Sequence, residues 1–200
     1  MAGASVVLLI RLRHARDDRA QLHQAIAQLE HDKQVLSAQA YFDPLTGLAN
    51  RALLADRFRF AIERSKRSKV PFAVVMIDLN AFKGVNDSYG HAAGDYVLVA
   101  VGKRLLDSVR ASDTVARLGG DEFVLLIESV QMRQELEAIC EKLVEALSHR
   151  ITLPSGQEVS AGGSIGFALF PDDGLNMDDL LHVADDAMYV CKTSGLMPLF

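Results

Sequence analysis

Three observations predict an α+β fold, a central and mostly antiparallel sheet flanked by helices. The run Phe72 to Ile77 is too continuously apolar to be a half-exposed strand. Met132, Leu136, Ile139, Cys140, Leu143, Val144 and Leu147 keep a helical period throughout. From Phe72 onward the segments read strand, helix, strand, strand, helix, strand and a closing helix, the split order of a ferredoxin-like core.

The chain has 200 residues, half of them hydrophobic, enough for one core and an appendage. Its 21 Lys and Arg against 26 Asp and Glu give a net charge of -5, which excludes a general nucleic-acid binder but not a nucleotide substrate. Cys140 and Cys191 fall on apolar helical faces far apart in sequence, so they read as core residues of a reducing compartment.

Residues 1–40 form the appendage, an N-terminal helix ahead of a domain over 41–200. Ala4 to Ile10 is apolar but shorter than the roughly 20 residues a span needs, and Arg11, Arg13, Arg16 and Arg19 follow. This reads either as the stub of a membrane helix whose remainder lies outside the chain, or as an ordinary helix start with a basic face. Leu22, Leu29 and Leu36 recur every seven residues, with Ile26 and Ala40 at the complementary positions and Lys33 spoiling one. That is a short coiled-coil seam suited to a parallel dimer, with packing onto its own domain as the alternative.

Pro44 and Gly47 break that helix. The spacing then predicts a helix over Arg51 to Ser65, with Leu54, Phe58, Ala61 and Ile62 on one face, and the first strand over Phe72 to Ile77. Asp78 to Gly94 reads as a long polar connection, and a helix follows from Asp95 to Val109 with Leu98, Val101 and Leu105 inward. Thr114 to Arg117 and Phe123 to Ile127 form a hairpin. Thr152 to Ser160 is a small polar hairpin, Gly163 to Phe170 a strand, and Asp179 to Lys192 a helix packing Leu181, Ala184, Met188 and Cys191.

The chemistry concentrates at Arg117-Leu118-Gly119-Gly120-Asp121-Glu122-Phe123, where two glycines permit a tight turn and two carboxylates precede a buried strand. Alone it reads as an ordinary hairpin with solvated acids. Asp78 changes this by ending the first strand: if the two strands are neighbours, Asp78 and Asp121 converge, and carboxylates brought together repel unless a cation lies between them. Oxygen-only ligands suit magnesium better than zinc.

These residues, with Asp43-Pro44-Leu45-Thr46-Gly47-Leu48 before them, resemble the GGDEF family of diguanylate cyclases, which join two GTP molecules into cyclic di-GMP. The likeness runs from about Ala40 to Gly195. It includes Asp78 to Lys83 with Asn86-Asp87, Tyr89-Gly90-His91 with Gly94-Asp95, Gly119 to Phe123, and Ala184-Asp185 with Ala187-Met188-Tyr189 and Lys192. The resemblance implies a palm-like core and metal-assisted attack of a ribose 3′-hydroxyl on an α-phosphate. Asp78, Asp121 and the Leu79 carbonyl are then ligands to Mg2+, or to Mn2+ in its place, and Glu122 is a ligand or the base. It also implies phosphate contacts at Phe82, Lys83 and Lys192, further substrate contacts at His91, Leu98, Gly119 and Gly120, and guanine selection by Asn86 and Asp95. A carboxylate matches two adjacent donors on guanine's pairing edge, and adenine does not offer both. Arg110-Ala111-Ser112-Asp113 matches the family's inhibitory Arg-x-x-Asp site, where cyclic di-GMP restrains the enzyme.

The expected partners are GTP, cyclic di-GMP and a second copy of the chain, without nucleic acid. The expected location is the cytoplasm, at the inner membrane's cytoplasmic face if the full-length protein is tethered through a preceding segment. Two departures from the family stand out. Asn80 replaces a frequent aspartate, and Leu196 replaces a phosphate-binding arginine, a contact worth ~1.5 to 3 kcal/mol. The second keeps open an alternative, a weak or silent domain serving as a receptor for cyclic di-GMP or GTP.

Overall fold

The structure is a computed structural model describing residues 40–130 and 132–194, with residues 23, 24, 26–30 and 32 ahead of them. The chain divides into two units, Met1–Ala40 and Tyr41–Phe200. In the first, the described residues are helical, and Gln28 donates to Asp32 at 2.8 Å one turn on. Ile26 and Leu29 are exposed. The other seam positions before Ala40, and the apolar stretch with its arginines, lie outside the described residues. Among the described residues no helix is long and apolar enough to cross a membrane.

In the second unit the elements run α1 (Arg51–Ser68), β1 (Phe72–Leu79), α2 (Phe82–Tyr89), α3 (His91–Ser108), β2 (Thr114–Gly119) and β3 (Glu122–Ile127). Then come α4 (Arg133–Ser148), β4 (Ile151–Thr152), β5 (Glu158–Val159), β6 (Gly163–Phe170) and α5 (Met177–Ser194). The main sheet has the order β2-β3-β1-β6 with every neighbouring pair antiparallel, and β4 and β5 make a separate hairpin. This is the mixed α/β architecture that the order of segments predicted.

Alternation along the strands explains why β1 is apolar at every core position. Its odd-numbered residues, Ala73, Val75 and Ile77, face a core shared with Val97, Val101 and Leu105 of α3 and Leu136, Cys140 and Leu143 of α4. Its even-numbered residues, Phe72, Val74 and Met76, face a second core with Leu54 and Phe58 of α1 and Leu180, Ala184 and Met188 of α5. Phe72 stacks on Phe170 at 4.8 Å and meets Phe58 edge-on at 6.1 Å. The sheet is therefore covered on both sides, and a side chain's parity decides which helices it meets.

Asn50 starts α1, its Oδ1 accepting from the Ala52 and Leu53 amides at 2.9 and 3.1 Å. Lys69, at φ 61°, ends it by donating its amide to the Ser65 carbonyl. Cys140 is buried, which pushes its thiol up to about 12, while Cys191 is only partly covered.

Three expectations need correction. The stretch from Asp78 to Gly94 is mostly helix, because α2 buries only Val85 fully and its polar remainder hid the period. Gly90, at φ 82°, separates α2 from α3, so α3 begins at His91 and Asp95 lies inside the helix rather than at its start. Met132 is exposed at the start of α4 instead of packing with the rest of its face.

Helix α5 lies close on β6 at Gly166, where a Cβ would come within 2.1 Å of the Met188 nitrogen and 2.2 Å of the Ala184 oxygen. Both obstacles are backbone, so relief requires moving the helix. Gly166→Ala should lower unfolding free energy by about 1 to 3 kcal/mol, read as a reduced urea midpoint. An unchanged midpoint would show that the two elements separate without cost.

Candidate active site

The register of β1 against β3 sets Asp78 directly opposite Glu122. Both are even-numbered, so they share the face covered by α1 and α5, at the end of the strands where those helices leave the sheet open. The two-residue turn Gly120-Asp121 joins Gly119 of β2 to Glu122 of β3. Gly119 and Gly120 sit at φ 147° and 54°, conformations that strain any residue with a Cβ. The turn folds back on β1 through the Leu79 amide, which donates to the Asp121 carbonyl at 3.3 Å. Asp121 thus joins the pair from the turn, while the residue in register with Asp78 is Glu122.

Lys192, near the end of α5, donates Nζ to Asp78 Oδ1 at 2.6 Å. That hydrogen bond, with the charges of Asp78, Asp121 and Glu122, holds the ammonium above its ordinary pKa. Glu122 is raised, first by partial burial and then by the carboxylates of Asp185, Asp78 and Asp121, with Arg51 pulling the other way. Glu122 stays open to solvent on one side, so this desolvation is incomplete. Among the described residues no three His, Cys, Asp or Glu side chains are already gathered closely enough to hold a metal ion. The acids nonetheless fit a hard divalent cation: the donors are oxygen alone, the neighbouring carboxylates help raise the proton affinity of Glu122, and Lys192 already rests on Asp78.

Asn80 turns away from this group. It accepts at Oδ1 from the buried Ser164 hydroxyl at 2.9 Å, and its amide donates to the Gly162 carbonyl at 2.7 Å. It ties β1 to the start of β6.

Asn86 is half-buried where α2 packs on α3, and Asp95 is exposed one residue after Gly94. A Cβ on Gly94 would lie 2.0 Å from Asn86 Oδ1 and 3.2 Å from Phe82 Cζ, so this glycine is what lets Asn86 and Phe82 take their places. Lys83 and His91 are exposed nearby in sequence, whereas the Leu98 side chain is 2% exposed within the core and is not brought to the surface with them. Arg110 and Asp113 come together in the turn between α3 and β2, the Arg110 amide donating to Asp113 Oδ2 at 2.9 Å. A cavity of about 330 Å³ opens beside them.

Arg117, which the sequence sets beside the glycines without a role of its own, is given one by the fold. Its Nη1 donates to Asp43 Oδ1 and Oδ2 at 3.1 and 3.2 Å, and its Nε and Nη2 donate to the Gly120 carbonyl at 3.1 and 2.8 Å. Asp43 in turn accepts from the Thr46 amide and hydroxyl at 2.8 and 2.6 Å. One guanidinium therefore pins the acid-bearing turn to the loop before α1. Arg51 and Asp185, the further charges felt by Glu122, were likewise not assigned a role. The available signal was an arginine beside the glycines and an aspartate that opens its own turn.

The sequence model for the family described as diguanylate cyclase, GGDEF domain, matches residues 40–197. The chain belongs to the GGDEF family. This GGDEF domain is similar to the bifunctional diguanylate cyclase/cyclic di-GMP phosphodiesterase MucR of Pseudomonas aeruginosa, at 48% identity over 158 residues. It is also similar to the diguanylate cyclase TpbB of the same species, at 39% over 166 residues. Those matches take in 78% and 83% of the chain but only 22% and 38% of the relatives' lengths. Among solved structures, the TpbB GGDEF domain aligns with a TM-score of 0.73 at 39% identity, covering 74% of this chain and 92% of that one. The coiled coil and GGDEF domain of DgcB from Caulobacter crescentus, solved in complex with c-di-GMP, aligns with a TM-score of 0.77 at 25% identity, covering 88% and 95%.

Asp43 is held below its ordinary 3.8, because although burial pushes it up, the Thr46 bonds and the Arg117 guanidinium together outweigh this. A carboxyl depressed on folding adds stability that is complete above the unfolded value and lost as pH falls through the lower folded one. Asp43→Asn should thus unfold about 1 to 3 kcal/mol more easily than the parent near neutrality. The gap should narrow as pH falls below the ordinary carboxylate range, and parallel stability curves across acid pH would rule out the pair as its source.

Proposed function

We propose that this GGDEF domain is a diguanylate cyclase that condenses two GTP into cyclic di-GMP and two pyrophosphates. The observation that carries the reading is the meeting of Asp78, Asp121, Glu122 and Lys192 at the open end of β1 and β3. Asp78 and Asp121, with the Leu79 carbonyl, would hold Mg2+, which when bound would offset the negative charge of the triphosphate at its α-phosphorus. The ribose 3′-oxygen of one GTP bonds to the α-phosphorus of the other as pyrophosphate leaves, and repetition with the roles exchanged closes the ring.

The chain's own groups supply the rest. Glu122, with its raised proton affinity, accepts the hydroxyl proton. Lys192 exchanges Asp78 for phosphate oxygens, and Lys83 adds a second positive charge beside the α2 start, where Phe82 leads the backbone. The glycines at 119 and 120 admit the nucleotide against bare backbone. Asn86 and Asp95 read guanine from adjoining turns of α2 and α3, with His91 at the rim.

Each domain carries one GTP in this scheme, so turnover requires two copies facing one another, which the heptads before residue 40 favour. Product returns to Arg110 and Asp113 and restrains the enzyme. A receptor that binds cyclic di-GMP without making it is the second reading, and Leu196 where the family carries an arginine is what favours it.

Incubation with GTP and Mg2+ followed by product identification should yield cyclic di-GMP, whereas no product with cyclic di-GMP still bound would select the receptor. Asp121→Ala should lower turnover at least about a hundredfold with the fold kept, and equal turnover would remove the metal assignment. Gly94→Ala should raise KM for GTP more than it lowers kcat, because it displaces Asn86. An unchanged KM would separate that residue from substrate. Arg110→Ala should abolish inhibition by product, and undiminished inhibition would place the inhibitory site elsewhere.

A further inference from the structure

The cavity beside Arg110 is walled by the end of α3, by the turn from Arg110 to Asp113, and by the first turns of α4. Its charged groups are already committed to different degrees. Asp113 accepts from two backbone amides, Arg110 at Oδ2 (2.9 Å) and Glu128 at Oδ1 (3.1 Å), so its first task is to shape the turn. Lys142 donates to the Ser108 carbonyl at 2.8 Å and closes the end of α3. The Arg110 guanidinium alone reaches out, and it is met by the carboxylate of Glu135, Nη2 to Oε1 at 3.2 Å.

Glu135 comes from the first turn of α4, where the helix dipole favours a negative charge whether or not Arg110 is present. It can therefore release the guanidinium without losing all of its stabilisation. A phosphodiester approaching Arg110 needs the fork of N–H donors from which Glu135 takes Nη2, and it carries the same sign of charge. The side chains are 64% and 29% exposed, which keeps the pair weak enough to open.

We propose that Glu135 is a built-in competitor for Arg110: cyclic di-GMP enters this cavity by displacing the Glu135 carboxylate, and that exchange sets the product concentration at which inhibition begins. The proposal rests on the inhibitory role given above to Arg110 and Asp113. It deepens that role by assigning the threshold to a residue outside the Arg-x-x-Asp motif. A ligand that paired with Glu135 instead would make it a contact and reverse the sign of its removal.

The test is calorimetric titration of the whole chain with cyclic di-GMP, comparing the parent with Glu135→Gln and Glu141→Gln. Glu141 is exposed on the same helix and does not line the cavity, so its substitution makes the same change of net charge without freeing Arg110. Glu135→Gln should bind about threefold to fivefold more tightly, the size expected for releasing one exposed ion pair. Glu141→Gln should stay within about twofold of the parent. Equal or weaker binding by Glu135→Gln, or equal tightening by Glu141→Gln, overturns the competitor while leaving the inhibitory site intact. Failure of both the parent and Glu135→Gln to bind cyclic di-GMP overturns the competitor together with the reading beneath it.

Discussion

Like charges held side by side organise this domain. Six consecutive pairs from Ala73↔Ile127 to Asp78↔Glu122 fix β1 against β3, and a slip of one residue would turn every side chain of β1 to the other face. The register is defended by two cores at once, one beneath the odd residues and one above the even ones. Apolar packing therefore forces Asp78 and Glu122 together at the strand ends, though the carboxylates gain nothing from each other. Glu122 carries the trace of this crowding, its proton affinity raised first by partial burial and then by the carboxylates of Asp185, Asp78 and Asp121, a cost to the folded state that is complete above the raised value and is lost as pH falls from there through the ordinary carboxylate range.

The third acid is positioned by different means. Asp121 lies on a turn that two glycines make possible, and such turns are free to move unless something ties them. Arg117 provides the tie, reaching from β2 to the Gly120 carbonyl on one side and to Asp43 on the other. The Asp43 loop is itself fastened to the edge of the sheet, with Ala49 donating its amide to Val115 and accepting from the Arg117 amide. That loop covers the open edge of β2 and steadies the acid-bearing turn at once. The first motif of the domain and its central motif, far apart in sequence, are thus halves of one small structure.

Much of this was legible in the letters. The order of apolar runs gave the sheet, and the position of Asp78 at the end of one run foretold its meeting with the hairpin. What escaped was decided by contacts between segments. Helix α2 buries one residue fully and carries Gly84 and polar side chains, so its period was too faint to separate from a loop. Asp43 stands in the sequence as part of a helix break and of the family's first motif but without a role of its own, because its partner Arg117 lies across the sheet and no local pattern links them. Glu135 resembled any acid in a first helical turn until the fold brought Arg110 to it.

The account turns on whether these acids hold a divalent cation against a nucleotide. A crystal of the domain soaked with Mn2+ and a slowly reacting GTP analogue, read by anomalous scattering, addresses that directly. The predicted result is a metal peak bonded to the carboxylates of Asp78 and Asp121, with Lys192 moved from Asp78 onto phosphate oxygen. Nucleotide bound elsewhere, or bound with no metal between those carboxylates and Lys192 still on Asp78, would contradict it.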